Sequence, residues 1–141
     1  MQIDVIDKLK FLESSQKKYI KDTVKKIIIF LQLPKEAELC VSFINDIEMR
    51  KLNRNYRNID RTTDILSFPQ NMESGNNILG DLVISYETAF RHSEKYKLTI
   101  DEEIKKLLVH GILHLLGHDH KKKNEASIMR ENENEILLSL K

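Results

Sequence analysis

A chain of 141 residues with 40% hydrophobic side chains is the length of one ordinary domain and holds enough apolar material to fill one core. Its 23 basic and 22 acidic residues leave a formal charge of +1, so overall charge favours neither a nucleic-acid nor a membrane partner, and any such case rests on local charge. The single cysteine, Cys40, excludes an internal disulfide and, within the apolar run LCVSFI, reads as a buried thiol in a reducing compartment. No basic-then-apolar leader opens the chain and no run approaches ~18 apolar residues, so the expectation is a cytoplasmic protein with no membrane segment.

In chain order, Ile3, Val5 and Leu9 give a first strand or extended arm over residues 1 to 9. Tyr19, Ile20, Val24, Ile27, Ile28 and Leu31 recur at helical steps between Ser14 and Leu33, and Pro34 supplies a stop. Leu39, Val41 and Phe43 alternate within ELCVSFIN as in a strand with one buried face. Asn45-Asp46 then offers a cap for a short helix over IEMRKLNRNY.

TDILSF (63–68) and LGDLVIS (79–85) read as two more strands, separated by the turn-rich PQNMESGNN in a hairpin or a loop over a site. Helices follow over residues 87–97, 101–116 and about 125–140. Thr99 caps the second of these, and Asp101, Glu102 and Glu103 suit its positive end. The polar RENENE stretch in the last helix reads as a solvated face. Together these predict an α+β fold: a small mixed sheet of about four strands with roughly five helices packed on it.

The chemistry lies in HGILHLLGHDH, from His110 to His120. On a helix His110 and His114 sit one turn apart on the same side, the spacing at which two imidazoles share one metal ion. Gly117 can adopt the left-handed conformation that ends a helix, and the reversed chain would return His120 to the same ion. Three neutral nitrogen ligands leave a tetrahedral zinc with one open position, as in catalytic sites. Such a zinc lowers the pKa of water to roughly 7 and polarises a phosphoryl or carbonyl oxygen.

The spacing is that of the metzincin proteases, HExxHxxGxxH, with Gly111 in place of the glutamate general base. The expected site is therefore metzincin-like, at a helix C-terminus, but lacks the base for proteolysis by that route. Asp119 is the nearest acid and equally suits orienting His120. His118 is the poorest ligand candidate, and His92, on a polar helix, reads as a surface residue. Against the metal reading stands the apolar character of the helix nearly all round, which would bury its histidines for structural reasons alone.

With LNRNYRNIDRTTDILSFP and LGDLVIS before it, HGILHLLGHDH closely resembles the YbeY family of bacterial ribosomal-RNA maturation factors, also described as metal-dependent endoribonucleases. The resemblance covers roughly Leu52 to His120, with three blocks in the right order and spacing. It implies that His110, His114 and His120 hold one Zn2+ per chain, and that the family's functionally important arginine falls on Arg57. A guanidinium there could hold a scissile phosphate and offset charge in a phosphodiester transition state. A solvated or salt-bridged arginine is the plain alternative.

The chain departs from the family at Asp60-Arg61-Thr62-Thr63-Asp64, where the usual D-x-P-T-D has a proline that would stiffen the entry to the strand. Asp64 and Asp81, at strand ends, read as turn or cap residues without catalytic role. Arg50, Lys51, Arg54, Arg57 and Arg61 form the better candidate for RNA phosphate contact, and Lys121 to Lys123 read more simply as solvated surface.

The resulting expectation is one metal-dependent hydrolase domain over residues 1–141. Its function would be that of a zinc-dependent, single-strand-specific endoribonuclease in maturation of the 16S rRNA 3' end and in ribosome quality control. Its implied partners are single-stranded rRNA, small-subunit ribosomal proteins and a ribosome-associated GTPase. A non-catalytic, zinc-stabilised ribosome-assembly factor is the alternative, and a metzincin-type peptidase is disfavoured by Gly111.

Overall fold

The computed structural model describes residues 1–70, 77–117 and 123–140, without the side chains of 123–129. The elements are β1 (Gln2–Ile6), α1 (Ser14–Phe30), β2 (Glu38–Ile44), α2 (Asp46–Arg57), β3 (Ile65–Pro69), β4 (Ile78–Ser85), α3 (Tyr86–Lys95), α4 (Ile100–Leu115) and α5 (Lys123–Ser139). The four strands lie in the order β1-β2-β4-β3, parallel at β1/β2 and β2/β4 and antiparallel at β3/β4. This is the mixed α+β sheet that the alternation of strands and helices predicts.

Register explains why one face of the sheet is apolar. Val5, Val41 and Leu82 lie side by side across three strands, as do Phe43 and Ile84 one pleat further on, and all but the half-buried Val5 are fully or almost fully buried. On that face α1 contributes Ile20, Val24, Ile27 and Ile28, while α4 contributes Ile104, Leu108, Ile112 and Leu113. Each fully buried Ile or Leu contributes about 1.5–3 kcal/mol relative to exposure, so this layer dominates the stability. The opposite face carries Cys40, Ser42, Asp81 and Val83, all only half-buried. The Cys40 thiol is therefore not buried as expected, because odd and even residues of β2 face opposite sides of the sheet.

Helix α1 ends before Pro34 acts. Its C-cap is Leu31, and Gln32 follows at φ 55°, so a left-handed residue stops the helix three positions early. Asn45 caps α2 through its side chain, which accepts from the Glu48 N–H at 2.9 Å. Thr99 caps α4 in a capping box with Glu102. Among the described residues no helix is long and apolar enough to cross a membrane.

Candidate functional site

Helix α4 carries the histidines, and its position is set by two close approaches to the sheet. A Cβ on Gly111 would lie 2.8 Å from both Ile65 Cδ1 and Leu82 Cδ2, and the Ser67 hydroxyl donates to the Gly111 carbonyl at 3.4 Å. On the strand side Gly80, at φ 142°, would place a Cβ 2.9 Å from Leu115 Cδ2. Residue 111 thus points into the β3/β4 surface. A glutamate side chain there would enter the core, so the general base of the protease motif has no room in this fold.

The opposite side of the same turns presents His110 and His114, both half-buried, with ring centroids 4.5 Å apart. His110 Nδ1 lies 2.8 Å from Glu133 Oε1, a side chain of α5. A carboxylate only accepts, so Nδ1 donates to it and Glu133 orients the ring. The α4 helix ends at Leu116, and Gly117 follows at φ 92°, the conformation expected of it at the helix end. His118, Asp119, His120, Lys121 and Lys122 lie outside the described residues. The structure therefore brings His110 and His114 together.

Arg57 is the last residue of α2, exposed, and pairs with no carboxylate among the described residues. Its neighbour Tyr56 meets Phe68 of β3 edge-on, with ring centroids 5.1 Å apart, which ties that helix end to the strand lying against α4. Within the same basic segment, Arg50 forms a two-point pair with Asp60 at 2.9 and 3.3 Å, and Arg54 lies 3.9 Å from that carboxylate.

The loop between α2 and β3 is held in place without the family's proline. The Thr62 hydroxyl donates to Asp46 Oδ1 at 3.3 Å and the Asn53 amide donates to the Arg61 carbonyl at 2.9 Å. Asp46 collects further donors: Ser85 and Thr88 hydroxyls at 2.6 Å each, and Arg91 at 2.8 Å. Burial alone would raise its pKa, but the Arg91 and hydroxyl hydrogen bonds outweigh that and lower it to about 2. This hub joins the N-termini of α2 and α3 and the loop before β3.

Two contacts around these helices escape a reading of the sequence. Glu133 belongs to the RENENE stretch expected to be solvated, yet it holds His110. The available signal is its spacing: Ile136, Leu137 and Leu140 follow at i+3, i+4 and i+7, so Glu133 lies on the apolar face of α5. His92, expected at the surface, is half-buried, with Nδ1 3.5 Å from Asp64 Oδ2. Among the described residues Asp64, His92 and Glu103 each offer one metal-type ligand atom, and these atoms lie within 4.8 Å of one another.

A mixed sheet carrying a packed helix that presents two adjacent imidazoles, one oriented by a carboxylate, defines a small α+β protein in which His110 and His114 are suited to share a metal ion. Comparison with known proteins gives that class a family. The family described as endoribonuclease YbeY matches residues 2–141. The chain is 48% identical over 106 residues to the endoribonuclease YbeY of Aquifex aeolicus, covering 74% of this chain and 71% of that one. It is 37% identical to the Thermodesulfovibrio yellowstonii protein of the same name, covering 100% and 98%. The fold is also similar to the solution structure of TM1509 from Thermotoga maritima, with a TM-score of 0.64, 22% identity and coverage of 99% and 91%. The chain belongs to the YbeY family.

Proposed function

We propose that the chain is a zinc-dependent, single-strand-specific endoribonuclease of rRNA maturation, acting in the cytoplasm on the 16S rRNA 3' end and in ribosome quality control. Residues 1–141 would work as one hydrolase domain with small-subunit ribosomal proteins and a ribosome-associated GTPase as partners. The observation that carries this reading is the His110–His114 pair with Glu133 on His110 Nδ1. Two imidazoles one turn apart, one of them oriented by a carboxylate on its Nδ1, fit a zinc ion, and His120 is the proposed third ligand.

A zinc ion held there supplies Lewis acidity that polarises a phosphoryl oxygen and lowers the pKa of water. The chain's own residues supply position. Glu133 fixes the ring plane and tautomer of His110. Arg57, permanently charged and exposed at the end of α2, is proposed to grip the scissile phosphate with its planar fork and offset the charge that develops there. Gly111 packs against Ile65 and Leu82, so position 111 takes no part in proton transfer.

The test is cleavage of a defined single-stranded rRNA fragment by highly purified wild-type, Arg57→Ala and His110→Ala proteins, with bound zinc measured in each. Wild type is expected to cut, Arg57→Ala to keep its zinc and lose activity at least about tenfold, and His110→Ala to lose both. Equal cutting by all three would assign the activity to a contaminant. Zinc-loaded wild type that never cuts would leave the assembly-factor reading in its place.

A further inference from the structure

Among the described residues two buried side-chain oxygens lack a hydrogen-bond partner, Asn53 Oδ1 and Glu103 Oε2, and only the second belongs to an acid. Glu103 sits on α4 with 4% exposure. A buried carboxylate oxygen without a donor costs roughly 1–3 kcal/mol or more, so it calls for a compensating group. The nearest cation is the Lys106 ammonium at 3.9 Å, beyond hydrogen-bond reach, on a side chain that is half exposed. Burial pushes the Glu103 carboxyl above its usual range, with Lys106 and His92 pulling it down and Asp64 pushing it up.

Two more ligand-type groups converge on it from different elements. His92 comes from α3, and Asp64 immediately precedes β3, where its carbonyl accepts the Ser85 N–H at 2.9 Å. His92 Nδ1 and Asp64 Oδ2 stand 3.5 Å apart, too far for a good N–H···O bond. That separation is close to the ~3.4 Å edge of a tetrahedron with metal–ligand bonds of about 2.1 Å. Three ligand atoms within 4.8 Å of one another, not hydrogen-bonded together, leave a gap that an ion would fill.

We infer that Asp64, His92 and Glu103 form a second divalent-cation site, separate from the histidine pair and suited to a transition ion such as zinc or manganese. One imidazole and two carboxylates are a borderline donor set with room for water, which fits those ions better than magnesium or calcium. Glu103 precedes His110 by seven residues on nearly the same face of α4, which places the two sites about 10 Å apart along the helix. Paired catalytic metals stand about 3.5–4 Å apart, so this ion does not share the reacting phosphate. Its effect is mechanical: it clamps the start of β3, and with it the loop leading from Arg57, to α3 and α4.

The test is zinc stoichiometry of the metal-stripped full-length chain after equilibrium dialysis against Zn2+, with thermal denaturation alongside. Wild type should bind two ions, His92→Ala and Glu103→Gln one each, His114→Ala one, and the His92→Ala/His114→Ala chain none. Added Zn2+ should still raise the Tm of His114→Ala and leave that of the double variant unchanged. Lys106→Met, which removes the competing ammonium, should tighten the second site several-fold. If His92→Ala and Glu103→Gln bind as many ions as wild type, or if His114→Ala binds none, the second site does not exist. If His114→Ala keeps two ions while His92→Ala keeps one, the histidine-pair reading fails and the second site stands. His92→Ala, at a half-exposed position, keeps the test decisive should Glu103→Gln fold poorly.

Discussion

Asp46 and Glu103 are both carboxylates set among packed elements, and the structure treats them in opposite ways. Asp46 accepts from Thr62, Ser85, Thr88 and Arg91, and its pKa falls to about 2. Glu103 has one oxygen with no donor, and its pKa rises, chiefly through burial. A carboxylate surrounded by donors is a structural fastener, because its charge is already spent on fixed neighbours. One left short of donors is a vacancy in the hydrogen-bond network, and the three-element convergence around it reads as a site. Both meet α3: Asp46 accepts from Ser85, Thr88 and Arg91, and Glu103 lies beside His92, the residue after Arg91.

This contrast can be broken in graded steps. Asp46→Ala strands three hydroxyls and a guanidinium and is expected to lower unfolding free energy by about 2–3 kcal/mol, measured by urea denaturation at neutral pH. Because Asp46's folded pKa lies below its unfolded value of 3.8, its contribution is complete above about pH 4 and is lost as pH falls towards 2. That loss amounts to at most roughly 2 kcal/mol for a group 26% exposed, and the corresponding part of the stability–pH curve should vanish in Asp46→Asn. Glu103→Gln in metal-stripped protein should change stability by less than about 1 kcal/mol, since removing a poorly solvated charge offsets the weakened pairing with Lys106. A large destabilisation there would show that Glu103 is a fastener after all.

Gly111 sharpens the same lesson about space. Restoring the protease-like glutamate with Gly111→Glu should destabilise the fold by about 3 kcal/mol or more in thermal unfolding, and should yield no peptidase.

Much of the frame was legible because it follows from local rules. Apolar periodicity, turn signals and capping chemistry located the four strands and five helices of the described residues, with Asn45 and Thr99 at their helix starts. The placed glycine at 117 took the positive φ that a helix end requires. Sheet order was not legible, since pairing β2 with β4 rather than β3 depends on contacts between distant segments. The same is true of Asp46, whose four side-chain partners come from two separate stretches of chain, at Thr62 and over Ser85 to Arg91. Glu133 sits on a mostly polar helix surface, and only its neighbours' spacing shows that it faces α4; His92 lies at the surface as its polar helix suggests, but its approach to Asp64 depends on a distant segment. Gly111 was legible as a missing base but not as a packing requirement, which needs β3 and β4 in place.

The most direct test of the central claim, that the α4 histidines hold the metal on which RNA cleavage depends, is zinc add-back. Wild-type and His114→Ala proteins would be stripped by chelator, checked for retained fold by circular dichroism, and titrated with Zn2+ while cleavage of a single-stranded rRNA fragment is followed. Cleavage should disappear on stripping and return with zinc in wild type but not in folded His114→Ala. Cleavage by stripped wild type, or full recovery in His114→Ala, would contradict that claim.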